Sequence, residues 1–198
     1  MLIIIISGTP GTGKTSVSRK LSQKINAKVL SLNEIAIKKN FVLEYDAKRD
    51  THITDFDKLI PDVIKLVDQY RNNKFPFLII ESHFSDMLPE AIMDHIFVLR
   101  CDPDELYLRL KKRGYSEEKI KENIQAEILG NCTNFFIQKE VNIPILEIDT
   151  THLNVQSVAN IIIDIVVHHR DSKKYVVGKI DWLQKIYDDD SLAKKYFY

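Results

Sequence analysis

Residues 7–16 read SGTPGTGKTS, directly after the apolar run MLIIII. Gly8, Gly13, Lys14 and Thr15 stand at the G-x-x-x-x-G-K-[ST] spacing, with Gly11 inside the loop. Residues without Cβ can take positive φ and let the backbone come close to a ligand. Successive N–H groups then line a concave nest for anions, which the N-terminus of the next helix extends over Ser16. In such a nest the Lys14 ammonium reaches the β- and γ-phosphates, and the Thr15 hydroxyl is offered to Mg²⁺. The chemistry is the holding of a nucleoside triphosphate.

That loop needs a strand before it and a helix after it. Leu2 to Ile6 is a β-branched apolar run of the kind buried on both faces of a sheet. Val17, Leu21 and Ile25 recur at helical spacing across 16–25. Further strands are predicted in 27–32, 75–82, 95–101 and 143–149, and helices in 57–72, 103–113, 116–129 and 131–141. The alternation predicts an α/β fold, a parallel sheet of about five strands with helices on both faces. Ligands of such sheets bind beyond the carboxyl ends of the strands. Glu81 and His83 fall there, in ESHFSD, where an acidic group could position Mg²⁺. His83 is otherwise a structural histidine satisfied by hydrogen bonds.

A basic stretch, Arg109, Lys111, Lys112 and Arg113, precedes Gly114-Tyr115 and a helix opened by Ser116. It reads as the hinge of a short mobile lid whose arginines neutralise a transferring phosphoryl group, or as a solvated face paired with Glu117, Glu118 and Glu122. Residues 38–57 are polar and show neither strand nor helix pattern, which predicts an irregular segment, either a second-substrate entrance or a surface loop. In 182–187, Trp182, Leu183, Ile186 and Tyr187 stand at helical spacing, which predicts packing against the core or, as the alternative, a docking surface. His168-His169 reads as a helix end.

The 198 residues predict one domain over 1–198. The 28 basic residues balance the 28 acidic ones, so no global field draws the chain to nucleic acid or anionic membrane. Cys101 and Cys132 are too few for a disulfide framework or a metal site and are expected to be buried free thiols. The N-terminal apolar run leads straight into the glycine loop, so it reads as a core strand and not as a signal or membrane span. A cytoplasmic location with no membrane contact is expected.

Four stretches together resemble one family: GTPGTGKTS, EYDAKRDTHITDFDKL, IIESHFSDMLPE and VLRCDPDELYLRLKKRGYSEEKIKENIQAEI. Over about residues 1–149 the chain resembles the small adenylate kinases of archaea and the eukaryotic nucleus, a family also implicated in maturation of the small ribosomal subunit. The resemblance implies a P-loop nucleoside monophosphate kinase core, with ATP-Mg²⁺ as donor and AMP or a related monophosphate as acceptor. It implies ATPase activity as well, and transient binding to a platform ribosomal protein of the small subunit and to the pre-30S or pre-40S particle. Carried onto this chain, Gly11, Gly13, Lys14, Thr15 and Ser16 contact the ATP phosphates, and residues 31–54 form the monophosphate-binding segment. Residues 112–122 form the lid, with Arg113 on ATP, and 150–198 are C-terminal helices outside the well-matched region. Glu81 and His83 occupy the family's acidic-x-His position; eukaryotic members carry aspartate for Glu81. Adenylate kinases commonly place an arginine where this chain has Ile37. Lys38, Lys39 or Arg49 would substitute, although a lysine lacks the planar fork of arginine.

Three functional accounts share the donor site. In a monophosphate kinase, Thr15 with Glu81 holds Mg²⁺, Lys14 and Arg113 (with Arg109 as a further candidate) neutralise the transferring group, and His83 orients the acceptor or water. In a nucleotide-switched assembly factor, hydrolysis matters and monophosphate transfer is incidental. In a kinase for another small metabolite, the 31–54 assignment falls away.

Overall fold

The structure is a computed structural model that describes residues 1–47 and 51–197. Strand β1 (Leu2–Ser7) runs into the glycine loop and helix α1 (Lys14–Ile25), followed by β2 (Lys28–Ser31) and α2 (Leu32–Lys38). An antiparallel pair, β3 (Val42–Asp46) and β4 (Thr51–Thr54), precedes α3 (Phe56–Asn72), β5 (Phe77–Glu81) and β6 (His95–Arg100). Helices α4 (Pro103–Lys112), α5 (Glu117–Ile128) and α6 (Asn131–Gln138) lead to β7 (Ile145–Asp149). The chain ends with α7 (Val155–Val166), α8 (Trp182–Asp188) and α9 (Asp190–Phe197).

The main sheet has the order β2-β5-β1-β6-β7 and every pairing in it is parallel. This is the expected architecture of five parallel strands. Successive residues of β1 face opposite sides, as the two-residue period of a strand requires. Ile3 and Ile5 join Leu78, Ile80 and Val98 under α2, α3 and α6. Ile4 and Ile6 join Ile79, Phe97 and Leu99 under α1 and α7. Both faces of the sheet are thereby buried, which is why its strands read as continuous apolar runs.

Two elements differ from expectation. The segment 38–57 contains β3 and β4 rather than irregular chain, paired from Val42↔Thr54 to Asp46↔Thr51. Its residues are mostly exposed on both faces, so the apolar alternation that marks a half-buried strand never develops. The strand expected over 27–32 stops at Ser31, whose side chain caps α2 by accepting from Glu34 N–H at 3.5 Å. Ser31-x-x-Glu34 is a capping-box spacing and marks this helix in the sequence.

The C-terminal helices close a third cluster. Ile186, Leu192 and Tyr196 pack on Leu106 and Leu110 of α4 and on Ile120, Ile124 and Ile128 of α5. Packing of the tail is as expected for Ile186 and Trp182, whereas Leu183 and Tyr187 are exposed. The Tyr196 hydroxyl donates to Asp104 Oδ1 at 2.6 Å, and Gln125 Nε2 donates to the Tyr196 carbonyl at 2.7 Å. Tyr196→Phe is expected to cost about 1 kcal/mol, the net value of one hydrogen bond. Tyr196→Ala is expected to cost about 3 kcal/mol or more, because the ring is 1 % exposed. Urea unfolding gives both values, and Trp182, the only tryptophan of the chain, reports tail release by fluorescence.

Candidate active site

The glycine loop springs from the C-terminal end of β1, the central strand, and passes over the end of β6. Gly8 has φ 136°, and a Cβ there would lie 2.3 Å from the Leu99 carbonyl oxygen. The loop can follow this path only with glycine at that position. Gly13, at φ 103°, precedes α1 and places no side-chain cap on it. The first N–H groups of α1 therefore lack a side-chain acceptor, the arrangement that favours an anion at a helix N-terminus. Thr15 and Ser16 of that first turn are exposed.

Lys14 Nζ lies over the loop's own backbone, donating to the Gly8 carbonyl at 2.6 Å and to the Thr9 carbonyl at 3.1 Å. Burial pushes the Lys14 ammonium below its usual pKa, while Glu81 and Glu127 draw it back up. The Thr15 hydroxyl donates across to Glu81, 3.3 Å from each carboxylate oxygen. Glu81 is 5 % exposed at the end of β5. A hard divalent cation takes oxygen ligands and keeps several waters, so one hydroxyl and one carboxylate beside a triphosphate fit Mg²⁺. Among the described residues no cluster of three or more His, Cys, Asp or Glu could bind a metal without the nucleotide. Glu81→Gln is expected to raise the Mg²⁺ concentration for half-maximal turnover by roughly tenfold or more, as a metal titration at saturating ATP would read.

His83 follows on the same side, its ring edge-on to Phe84 at 4.7 Å. Burial, and then the Lys14 charge, push its pKa down to about 4. The imidazole is therefore neutral near pH 7 and weakly basic, suited to hydrogen bonding rather than proton abstraction. The two thiols are buried, and burial pushes Cys101 up to about 12 and Cys132 up to about 11. Neither is a thiolate nucleophile near neutral pH.

Beside the loop opens a cleft of ≈ 590 Å³, lined among others by Thr9, Asn33, Ile37, His83, Asn123 and Phe135. Its walls are α2, the β3–β4 pair, the start of α3, and α5 with α6. Glycine loop, Glu81, His83 and cleft thus meet at the carboxyl edge of the sheet. Arg113 caps the C-terminal end of α4 and is exposed there, close enough for its charge to act on Lys14. Arg109 is committed elsewhere: it donates to Glu105 at 2.8 Å and to the Thr150 and Thr151 carbonyls at 2.8 and 3.1 Å. It braces the loop after β7. Thr150 in turn donates to the Thr12 carbonyl at 3.0 Å, so that loop supports the glycine loop from behind.

Of the residues considered for an acceptor phosphate, Ile37 lines the cleft, whereas Lys38 and Lys39 do not. Lys39 is paired with Asp62 at 2.8 Å. Arg49 lies outside the described residues. The site also contains residues not singled out in the sequence: Thr9, Arg100, Glu127 and Glu147, which meet beneath the loop. Arg100 was the available signal, since a guanidinium ending the apolar strand HIFVLR demands a buried acid.

Comparison with known proteins follows this geometry. A family model described as "AAA domain" matches residues 4–130. A protein of Methanocaldococcus jannaschii named "Putative adenylate kinase" is 37 % identical over 185 residues, 93 % of this chain and 95 % of that protein. One of the same name from Methanosarcina barkeri is 36 % identical, with 93 % and 100 % covered. Among solved structures, the shikimate kinase of Acinetobacter baumannii in complex with shikimate superposes with a TM-score of 0.58 at 13 % identity, covering 86 % of this chain and 95 % of that one. A deoxyadenosine kinase of M. mycoides gives 0.53 at 19 % identity, covering 84 % and 100 %. The two structures share the fold of this chain. With relatives above one-third identity over nine-tenths of its length, and with Lys14, Thr15 and Glu81 meeting at the glycine loop, the chain belongs to the archaeal-type adenylate kinase family of P-loop enzymes.

Proposed function

We propose that this protein transfers the γ-phosphoryl group of ATP to AMP or a related nucleoside monophosphate. The observation that carries the reading is the convergence of Lys14, Thr15 and Glu81 at the mouth of a phosphate nest that opens on a separate cleft. The names of the relatives support adenylate acceptors.

In this reading Gly11, Gly13, Thr15 and Ser16 bind the ATP phosphates, and Lys14 exchanges its carbonyl partners for β- and γ-oxygens. Thr15 and Glu81 would hold Mg²⁺, whose charge offsets that of the transferring group. The acceptor lies in the cleft walled by α2, the β3–β4 pair and α5, with Arg49 as the remaining candidate cation for its phosphate. Movement of the 112–122 segment about Gly114 brings Arg113 inward and excludes water. Neutral His83 orients the acceptor or, without acceptor, a water molecule, which accounts for ATPase activity in the same site. Phosphoryl transfer of this kind depends on positioning and charge neutralisation more than on a strong base.

The test follows ATP and each nucleoside monophosphate in turn with purified protein and Mg²⁺. ADP formed from both ATP and AMP is the expected result. ATP hydrolysis indifferent to every monophosphate would refute it. The resemblance to family members implicated in ribosome maturation supports a second reading, in which a small-subunit platform protein, and through it the pre-30S particle, accelerates hydrolysis in the cytoplasm. Stimulation by that protein rather than by AMP is its signature.

A further inference from the structure

Beneath the glycine loop lies a buried polar chain that the transfer mechanism leaves unused. Thr9, Arg100, Glu127, Thr133 and Glu147 are each at most 4 % exposed. The Thr9 hydroxyl donates to Glu127 Oε2 at 2.6 Å, across 118 positions of sequence. The other oxygen, Oε1, accepts from Arg100 Nε at 2.8 Å and from Cys101 N–H at 3.1 Å. Arg100 continues to the Glu127 carbonyl at 2.9 Å and to Glu147, which also accepts from the Thr133 hydroxyl at 2.7 Å.

A buried carboxylate is costly, and well-packed apolar residues would often close the same core with less desolvation. What Glu127 supplies beyond packing is a grip on Thr9. The Thr9 carbonyl accepts from Lys14 Nζ at 3.1 Å, from Thr12 N–H at 3.2 Å and from Thr12 Oγ1 at 2.9 Å. The side chain of Thr9 is thus anchored to the last turn of α5 while its peptide oxygen sets the phosphate-binding lysine and the turn of the loop. The same helix presents Asn123 and Ala126 to the cleft, so the cleft wall and the loop's anchor are one rigid element.

We propose that Glu127 is a positioning residue: through Thr9 it locks the phosphate loop to α5, so that nucleotide on the loop and order in that helix are coupled. The proposal rests on the loop being the ATP site. Removing Glu127 itself would strand Arg100 in the core, so the informative variants are at Thr9. Thr9→Val keeps the shape and loses the donor; Thr9→Ser keeps the donor. The measurements are the thermal midpoint, calorimetric ATP-Mg²⁺ affinity, KM and kcat with AMP, and hydrogen exchange over 117–128 with and without ATP-Mg²⁺. Wild type and Thr9→Ser are expected to show slower exchange in α5 when ATP binds. Thr9→Val is expected to stay folded with a lowered thermal midpoint, because the buried Glu127 Oε2 loses its donor, to lose that protection and to bind ATP about tenfold more weakly, at least as large a share of the loss appearing in ATP KM as in kcat. Should Thr9→Val fail to fold, Thr9→Ala, smaller at the same position, carries the comparison. Wild-type affinity and wild-type α5 protection in the variant would overturn the proposal, as would failure of Thr9→Ser to restore both, or an ATP effect absent from α5 in the wild type. A wild type that binds ATP yet transfers nothing to AMP overturns the acceptor reading alone, and the exchange comparison still decides this one. A wild type that binds no ATP overturns both.

Discussion

Replacing Lys14 by alanine is expected to lower kcat for phosphoryl transfer by roughly 10³-fold while leaving the fold intact. The ammonium is held at the loop by the Gly8 and Thr9 carbonyls, which lie where the backbone turns about the nest. When triphosphate fills the nest, its oxygens are stronger partners for a cation than neutral carbonyls. The charge then sits where negative charge accumulates in the transition state, in a site of low dielectric where it is screened little. Stability should change little, because the same burial that pushes the Lys14 pKa down offsets its two hydrogen bonds. Single-turnover kinetics with AMP, set beside urea unfolding of the same variant, separates the two effects. A variant that loses activity only in proportion to lost stability would contradict the assignment. Lys14→Arg is expected to be impaired as well, since the planar guanidinium does not replace a compact ammonium above two carbonyls.

Gly8→Ala is expected to show the largest loss of stability of any single loop variant, about 4 kcal/mol or more. Two effects add. The residue holds φ at 136°, where L side chains are strained, and its Cβ would meet the Leu99 carbonyl at 2.3 Å. That oxygen belongs to the backbone of β6, hydrogen-bonded into the middle of the sheet, so it cannot move aside as a flexible side chain does. Gly13→Ala is the matched control. Its φ is 103° but nothing lies within 4 Å of the added methyl, so strain alone, about 1–3 kcal/mol, is expected. Thermal and urea unfolding of the pair distinguish steric exclusion from backbone strain. ATP affinity should fall in both, because each perturbs the path of the N–H groups that form the nest.

The residues of the glycine loop were legible in the one-dimensional chain because their spacing is local. Gly8 to Ser16 form one continuous turn between a strand and a helix, and backbone geometry over ten residues is set by those residues themselves. The strands of the main sheet were legible for a related reason: burial on both faces demands unbroken apolar runs. Glu81 stood out because a carboxylate after such a run must lie at an open edge. The pair β3–β4 did not, since strands exposed on both faces carry no burial pattern.

What the tertiary structure alone decided is the partnership of charged groups far apart in sequence. Arg109 stands in a basic stretch that suggests a phosphate-facing lid, yet the proximity of Thr150 and Thr151 turns it into a brace. Lys39 is paired instead with Asp62, on α3. Arg100 with Glu127 and Glu147, and Thr9 with Glu127, are brought together only when β6, α5 and β7 meet at the sheet edge. A charge run announces the number of donors it carries but not their acceptors, because hydrogen-bond partners are chosen by distance in space. Sequence determined the glycine loop; the packing of α5 and β7 against it determined what holds the loop in shape.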